Sequence, residues 1–363
     1  MIDEKLLKNE ERAIYSLRSL YTNYGYSPFK MSRFEEYDLY VRNKDFLVGD
    51  SVITFNDTDG RLLAMKPDVT LSIIKNSTFK GGVKSRVYYN ENVYRVSGST
   101  HKFKEIMQTG IECVGDVDLY DKYEVIYLGI KSLALISDNF AFDISHMGVL
   151  SAYLDSLTDS KSFKSKALRL ISMKNIHELV SLSREYGIAD SEAEKLSLFA
   201  KLHGNPRDVL DSLRELLVND EVVSAYNELS DICALLQNTE YYDKISIDFS
   251  VLNDMNYYNG LVFKGFLLGI CESVLSGGEY TPLMKRMKKS GSGLGFAIYL
   301  DLLSELDSEY PEYDFDVLLL YSEGADINKV INKKEELISK GKTVAVSASE
   351  NTSLRCKETL TVD

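Results

Sequence analysis

The sequence predicts an α+β fold, and three observations carry that prediction. Two strand-like runs, residues 86–96 and 103–113, flank a short polar link. Residues 148–238 are almost all helical in pattern, with no strand signal. From Asp316 onward the pattern is strand, helix, strand.

The elements follow in order. Residues 3–24 form an amphipathic helix with Leu6, Leu7, Ala13, Ile14, Leu17 and Leu20 on one side, and Gly25 ends it. Short strands at 52–55 and 62–65 surround Asn56-Asp57-Thr58-Asp59-Gly60, a hairpin signal. Pro67 suits the first turn of a helix, where its missing N–H would have no partner; that helix runs to Asn76. On strand 86–96, Val87, Tyr89, Glu91, Val93 and Arg95 share a face, because successive side chains alternate. On strand 103–113, Gln108 and Glu112 are four apart and share a face too. Ser97-Gly98-Ser99-Thr100 links the two. A helix covers 118–136 and a strand 140–144. Inside the helical block, Asn205-Pro206 is an N-cap followed by a first-turn proline. Strands return at 245–252, 261–266 and 272–275; the glycine-rich 291–295 then precedes a helix at 296–305. The tail carries a strand at 317–321, a helix at 327–339 and a strand at 343–347. The expected organisation is a core of 1–147 and 239–310, a helical insertion at 148–238 and a short C-terminal unit at 311–363.

Composition narrows the function. The 363 residues carry 42 basic and 55 acidic side chains, a net charge of −13. That argues against a broad nucleic-acid surface, which needs clustered Lys and Arg. Cys113, Cys233, Cys271 and Cys356 follow no CxxC spacing, so they read as reduced thiols, with no zinc site and no disulfide framework. The N-terminus is too charged for a signal peptide, and no apolar run approaches the ~20 residues that span a bilayer. A cytoplasmic protein without membrane contact is expected. No Ser/His/Asp order, HExxH or Walker loop is present, and no metal site or cofactor is expected.

The chemistry concentrates between Leu62 and Gly115. A free amino acid presents an ammonium, a carboxylate and a side chain. Carboxylates, hydroxyls and amides accept ammonium protons, and Asp68, Thr70 and Gln108 are of those types. An imidazole needs a carboxylate or phenol partner, which Glu112 with Tyr257 or Tyr258 supplies; Arg95 suits a carboxylate or phosphate. Each residue alone also has an ordinary structural reading. Asp68 reads as a first-turn helix acid, Glu112 as an exposed strand residue, Tyr257 and Tyr258 as core aromatics.

Over roughly residues 5–305 the chain resembles the histidyl-tRNA synthetase core of the class II synthetases. Met65-Lys66-Pro67-Asp68-Val69-Thr70 is similar to that family's R-P-E-G-T segment, and Tyr94-Arg95 to the F-R of motif 2. Gln108-Thr109-Gly110-Ile111-Glu112 is similar to its Q-x-G-x-E strand. Asn256-Tyr257-Tyr258-Asn259-Gly260, followed by Val262-Phe263, is similar to L-D-Y-Y-x-x-T-V-F. Ser276-Gly277-Gly278-Glu279-Tyr280 is similar to G-G-R-Y, and Gly295-Phe296-Ala297-Ile298 to the start of motif 3. The resemblance implies a class II antiparallel sheet flanked by helices, with the tail a remnant of the anticodon-binding domain.

The departures fall on the groups that activate an amino acid. Asn253 stands where the family has an arginine acting on the histidine carboxylate. Leu302 stands for the motif 3 arginine that stacks on ATP, and Tyr299 for a glycine. Ser97 replaces a glutamate, Glu279 the arginine of G-G-R-Y, and Lys66 another arginine. Adenylation relies on fixed cations around a phosphoryl transition state, and losing one such group commonly costs ~100-fold or more. The histidine contacts persist: Asp68, Thr70, Gln108 and Glu112, with Tyr258 on the imidazole and Arg95 on the carboxylate. That combination is similar to the regulatory subunits of ATP phosphoribosyltransferase. The resemblance implies a non-catalytic chain that dimerises, joins a short-form catalytic subunit in a hetero-octamer and takes part in feedback inhibition by histidine. It implies no tRNA partner. The competing expectations are an active or divergent histidyl-tRNA synthetase and a synthetase-like binding module in another pathway.

Overall fold

The computed structural model describes residues 7–44, 52–77, 84–96, 101–251, 258–306, 312–348 and 353–362. The chain divides into two compact units, Met1–Leu306 and Asp307–Asp363.

In the first unit α1 (Asn9–Asn23) leads to β1 (Ser27–Pro28). β2 (Phe34–Glu36), α2 (Tyr37–Arg42), β3 (Thr54–Asn56) and β4 (Leu62–Met65) follow, the three strands pairing as a small antiparallel sheet. Next come α3 (Thr70–Asn76), β5 (Ser85–Val96), β6 (Phe103–Gly115), α4 (Leu119–Ile136) and β7 (Phe140–His146). The helical block holds α5 (Met147–Leu157), α6 (Lys161–Ser172), α7 (Ile176–Glu185), α8 (Asp190–Lys201), the short β8 (His203–Gly204), α9 (Pro206–Leu213) and α10 (Asp220–Leu236). β9 (Ile245–Asp248), β10 (Leu261–Leu267), β11 (Leu275–Glu279), α11 (Thr281–Arg286), β12 (Ser292–Tyr299) and a 3-10 segment, Leu300–Leu306, complete the unit.

Among the described residues the main sheet has nine strands in the order β1-β5-β6-β12-β11-β10-β7-β9-β8. From β5 to β7 every neighbouring pair is antiparallel. Its two faces differ, as period-2 alternation requires. One face carries Ile111, Cys113, Leu275, Leu294, Phe296, Ile298, Phe263, Phe142 and Ile144, all buried in one core with Leu17 of α1, Val125 of α4 and Leu229 of α10. Phe263 stacks on Phe142 at 5.4 Å and meets Phe296 edge-on at 6.4 Å. Each such ring contributes about 1.5–3 kcal/mol by burial. The start of β5 is tied to α4 by ions: Asp121, fully buried, pairs with Arg86 and Lys84 at 2.5 Å each, and Arg86 reaches Glu124 at 3.1 Å.

Four expectations change. Pro67 precedes its helix instead of opening it, because Lys66 and Pro67 give their carbonyls to Tyr94 and Arg95 of β5. The glycine-rich run opens the interior strand β12 and is not a lead into a helix at 296–305. Its period-2 pattern buries Leu294, Phe296 and Ile298 on one face, and only the 3-10 segment follows. Strand β11 starts at Leu275 rather than ending there. Its glycines fit because a Cβ at Gly277 would lie 2.5 Å from the Gly295 carbonyl. The helical block does contain a strand, the two-residue β8, which pairs with β9.

The second unit has β13 (Phe315–Tyr321), α12 (Ile327–Ser339), β14 (Val344–Ser347) and β15 (Cys356–Val362). The strands run parallel in the order β14-β13-β15, and Val317, Leu319, Val330 and Leu337 form the core. β15 is absent from the sequence prediction because Lys357, Glu358, Thr359 and Thr361 leave it little apolar signal.

Candidate binding site

The candidate site lies on the other face of the main sheet, where the register brings polar and very small residues together. One row across the strands reads Tyr89, Gly110, Ala297, Ser276; the next reads Val87, Glu112, Gly295, Gly278. The glycines are there because side chains lie flat over them. A Cβ at Gly295 would stand 1.9 Å from Glu112 Oε2, and one at Gly278 would stand 2.6 Å from the Tyr258 ring. At Gly293 it would stand 2.1 Å from the Tyr280 ring.

The connection from β4 to α3 forms one wall. Lys66 is fully buried with its ammonium on Glu91, and its carbonyl accepts the Tyr94 N–H at 2.9 Å. Arg95 Nε donates to the Pro67 carbonyl at 2.9 Å. These bonds hold Asp68 and Thr70 over β5 and β6. Asp68 accepts the Leu71 amide at 2.9 Å. The Thr70 hydroxyl donates to Glu112 Oε1 at 2.7 Å, and the Tyr280 hydroxyl donates to Glu112 Oε2 at 2.5 Å.

Glu112 is therefore buried and doubly bonded, not the exposed strand residue of its ordinary reading. Burial pushes its carboxyl up to about 8, although Tyr280 and Thr70 pull it down; Asp68 adds to the rise. Burial also raises Asp68, opposed by the Leu71 amide, Arg95 and the Thr70 amide. The phenols of Tyr89 and Tyr258 lie well above their usual range, through burial first and the nearby carboxyls and Tyr299 second. A site with two reluctant carboxylates and several phenols suits a cationic hydrogen-bond donor.

The structure brings Asp68, Thr70, Gln108, Glu112 and Tyr258 into one region, all but Tyr258 deeply buried, with Arg95 at its edge. Tyr257, Asn253 and Ser97 lie outside the described residues. The motif comparison includes Tyr280 and Tyr299, and Tyr89 shares the Arg95 face, but sequence reasoning gave none of them a place among the binding residues; Tyr280 is the direct partner of Glu112. The available signal was alternation: Tyr89 shares a face with Arg95, and Tyr299 is opposite Gln108.

The departures take definite places. Leu302 packs against the main core, on the far side of the sheet from the pocket. Tyr299 stands on the pocket face, where a glycine would leave space. Glu279 turns away from the pocket to pair with Lys122 at 2.9 Å. Among the described residues no group of three His, Cys, Asp or Glu is placed to hold a metal ion, and no helix is long and apolar enough to cross a membrane.

Fold and site together define a class II synthetase-like core with a buried cluster of carboxyls and phenols on one sheet face. The family model for histidyl-tRNA synthetase matches residues 2–303. The ATP phosphoribosyltransferase regulatory subunit of Clostridium acetobutylicum is 27% identical, with 97% of this chain and 88% of the relative covered. The one from Alkaliphilus metalliredigens is 30% identical over 76% of this chain and 71% of the relative. A solved ATP phosphoribosyl transferase (HisG:HisZ) complex from Thermotoga maritima contains a chain 25% identical, with TM-score 0.63, covering 80% of this chain and 97% of that one. The chain belongs to the histidyl-tRNA synthetase family and, within it, to the ATP phosphoribosyltransferase regulatory subunits.

Proposed function

We propose that this chain is a cytoplasmic, non-catalytic regulatory subunit that joins a short-form ATP phosphoribosyltransferase catalytic subunit and binds histidine in the Glu112 pocket. The observation that carries it is a split inheritance. The carboxyl pocket of Asp68, Thr70 and Glu112 is intact, while Leu302 is in the core and Glu279 points elsewhere. Asp68, Thr70 and Gln108 would accept the ammonium, Glu112 and Tyr258 would hold the imidazole, and Arg95 would meet the carboxylate. Tyr257, next in sequence, belongs to the same expected set. The protein self-associates, as the class II resemblance implies, within a hetero-octamer, and does not use tRNA.

The test is co-purification with a short-form catalytic subunit, assayed with and without histidine. The complex is expected to form, to condense ATP with phosphoribosyl pyrophosphate and to lose activity with histidine. No complex in size exclusion sinks the reading. Histidine-dependent pyrophosphate–ATP exchange by this chain alone would restore the synthetase reading instead.

A further inference from the structure

Glu279 and Tyr280 are neighbours at the end of β11, and alternation turns them to opposite faces of the sheet. Tyr280 donates to Glu112 in the pocket at 2.5 Å. Glu279 faces a second cluster. It pairs with Lys122 of α4 at 2.9 Å, and Lys122 pairs with Glu228 of α10 at 2.5 Å. His146, at the end of β7, brings Nε2 to 3.7 Å from Glu228, while its Nδ1 accepts the Gly148 amide at 3.1 Å. Burial opposes ionisation of Glu228, but His146 and Lys122 outweigh it and hold the carboxyl down at about 2.

The cluster is fitted tightly to the chain around it. A Cβ at Gly260 would lie 2.3 Å from Glu279 Oε2. The Glu279 carbonyl accepts the Asn259 N–H at 3.1 Å, and Asn259 Oδ1 accepts the Thr281 N–H at 3.1 Å. The Thr281 hydroxyl donates to Glu279 Oε1 at 3.2 Å. The end of β11 therefore cannot shift without carrying Glu279 along.

We propose that Glu279, Lys122 and Glu228 form a relay by which a ligand in the Glu112 pocket alters the helical block through α10. This rests on the reading of histidine as the pocket's ligand. An imidazole N–H competes with Tyr280 for Glu112, so Tyr280 has two discrete states, bonded to Glu112 or released. The switch is passed to its neighbour Glu279 and across Lys122 to α10. Such a two-state element, biased from both ends, is what energetic coupling between distant sites requires.

The experiment uses the full chain and L-histidine. Hydrogen exchange is followed at residues 220–236, with histidine affinity measured by calorimetry. In the wild type, histidine is expected to change α10 exchange by about fivefold or more, the scale of ordinary site–site coupling. Glu228→Gln leaves the Lys122–Glu279 pair in place, so histidine should still bind within about threefold, without the α10 response. Lys122→Met should do the same from the middle of the relay. A response of wild-type size in Glu228→Gln overturns the relay, as does histidine binding with no α10 response in the wild type. Absence of histidine binding in the wild type overturns the ligand assignment, and the relay with it.

Discussion

Glu112→Gln tests the electrostatics of the pocket directly. The carboxyl titrates at about 8 in the folded chain against 4.5 when exposed, with burial the main cause. A raised acid favours the folded state fully below its unfolded value, and that contribution is lost as pH rises toward the folded value. The gap of about 3.5 pH units corresponds to about 5 kcal/mol at 1.36 kcal/mol each. By pH 9 the folded protein holds a buried anion at nearly that full cost, whereas at pH 5 the cost is below about 1 kcal/mol. Glutamine keeps the shape and removes the charge. Its amide re-bonds the Thr70 and Tyr280 hydroxyls imperfectly, a loss of about 1–2 kcal/mol.

The variant should thus be about 3 kcal/mol more stable than the wild type at pH 9 and no more stable at pH 5. Urea unfolding at the two pH values measures it. At an m-value near 3 kcal/mol/M, the pH 9 midpoint should rise by roughly 1 M. A stability difference that does not change with pH would refute the reasoning, because it would mean that Glu112 carries no uncompensated charge. Calorimetry should show histidine binding lost in the variant.

Three further outcomes are expected. Gly295→Ala places a Cβ 1.9 Å from Glu112 Oε2 and 2.4 Å from the Ile111 carbonyl; histidine affinity by calorimetry should fall roughly tenfold or more, since a backbone atom cannot give way. Asp121→Ala leaves Lys84 and Arg86 without their buried partner and should cost about 3 kcal/mol or more in urea unfolding. Histidine binding at pH 7 should release up to about 0.9 proton as Glu112 ionises, with net release lost at pH 9, where Glu112 is already ionised and the ligand's amine takes up a proton to bind as ammonium; calorimetry in buffers of different ionisation enthalpy measures it, and a pH-independent value would show that Glu112 stays protonated.

The β5–β6 pairing was legible because both strands alternate cleanly and lie next to each other in the chain. Gln108 and Glu112 share a face for that local reason. The burial of Glu112 was not legible. It depends on β12, which inserts between β6 and β11 from nearly two hundred residues away. The glycine run reads in sequence as a lead into a helix because Gly293 and Gly295 of β12 are set by overlying side chains that only the fold supplies. The contact of Tyr280 with Glu112 was not legible for a related reason. Until β11 is known to include Gly277 and Gly278, nothing assigns Glu279 and Tyr280 to opposite faces. The motif order carried the family assignment where periodicity could not, and the comparisons with relatives agree with it.

The charge of the pocket decides which ligand it can hold. Two unit charges 6 Å apart interact by about 3 kcal/mol at an effective dielectric near 20. A nucleotide triphosphate carries several negative charges, so each would meet a penalty of that order from each ionised carboxylate unless cations stood between. In a synthetase, fixed arginines do so. Here Lys66 is committed to Glu91, Lys122 to Glu279 and Glu228, and Leu302 to the core. Arg95 is bound to the Pro67 carbonyl and lies near Asp68. Burial holds these two carboxyls toward the neutral form; ionising them beside a phosphate costs more, whereas an ammonium and an imidazole N–H relieve that cost. Leu302 and Glu279 therefore take away cations on which adenylation relies, while the carboxyls that would meet the proposed histidine ligand stay in place. That is the electrostatic condition for a pocket that registers histidine without consuming it.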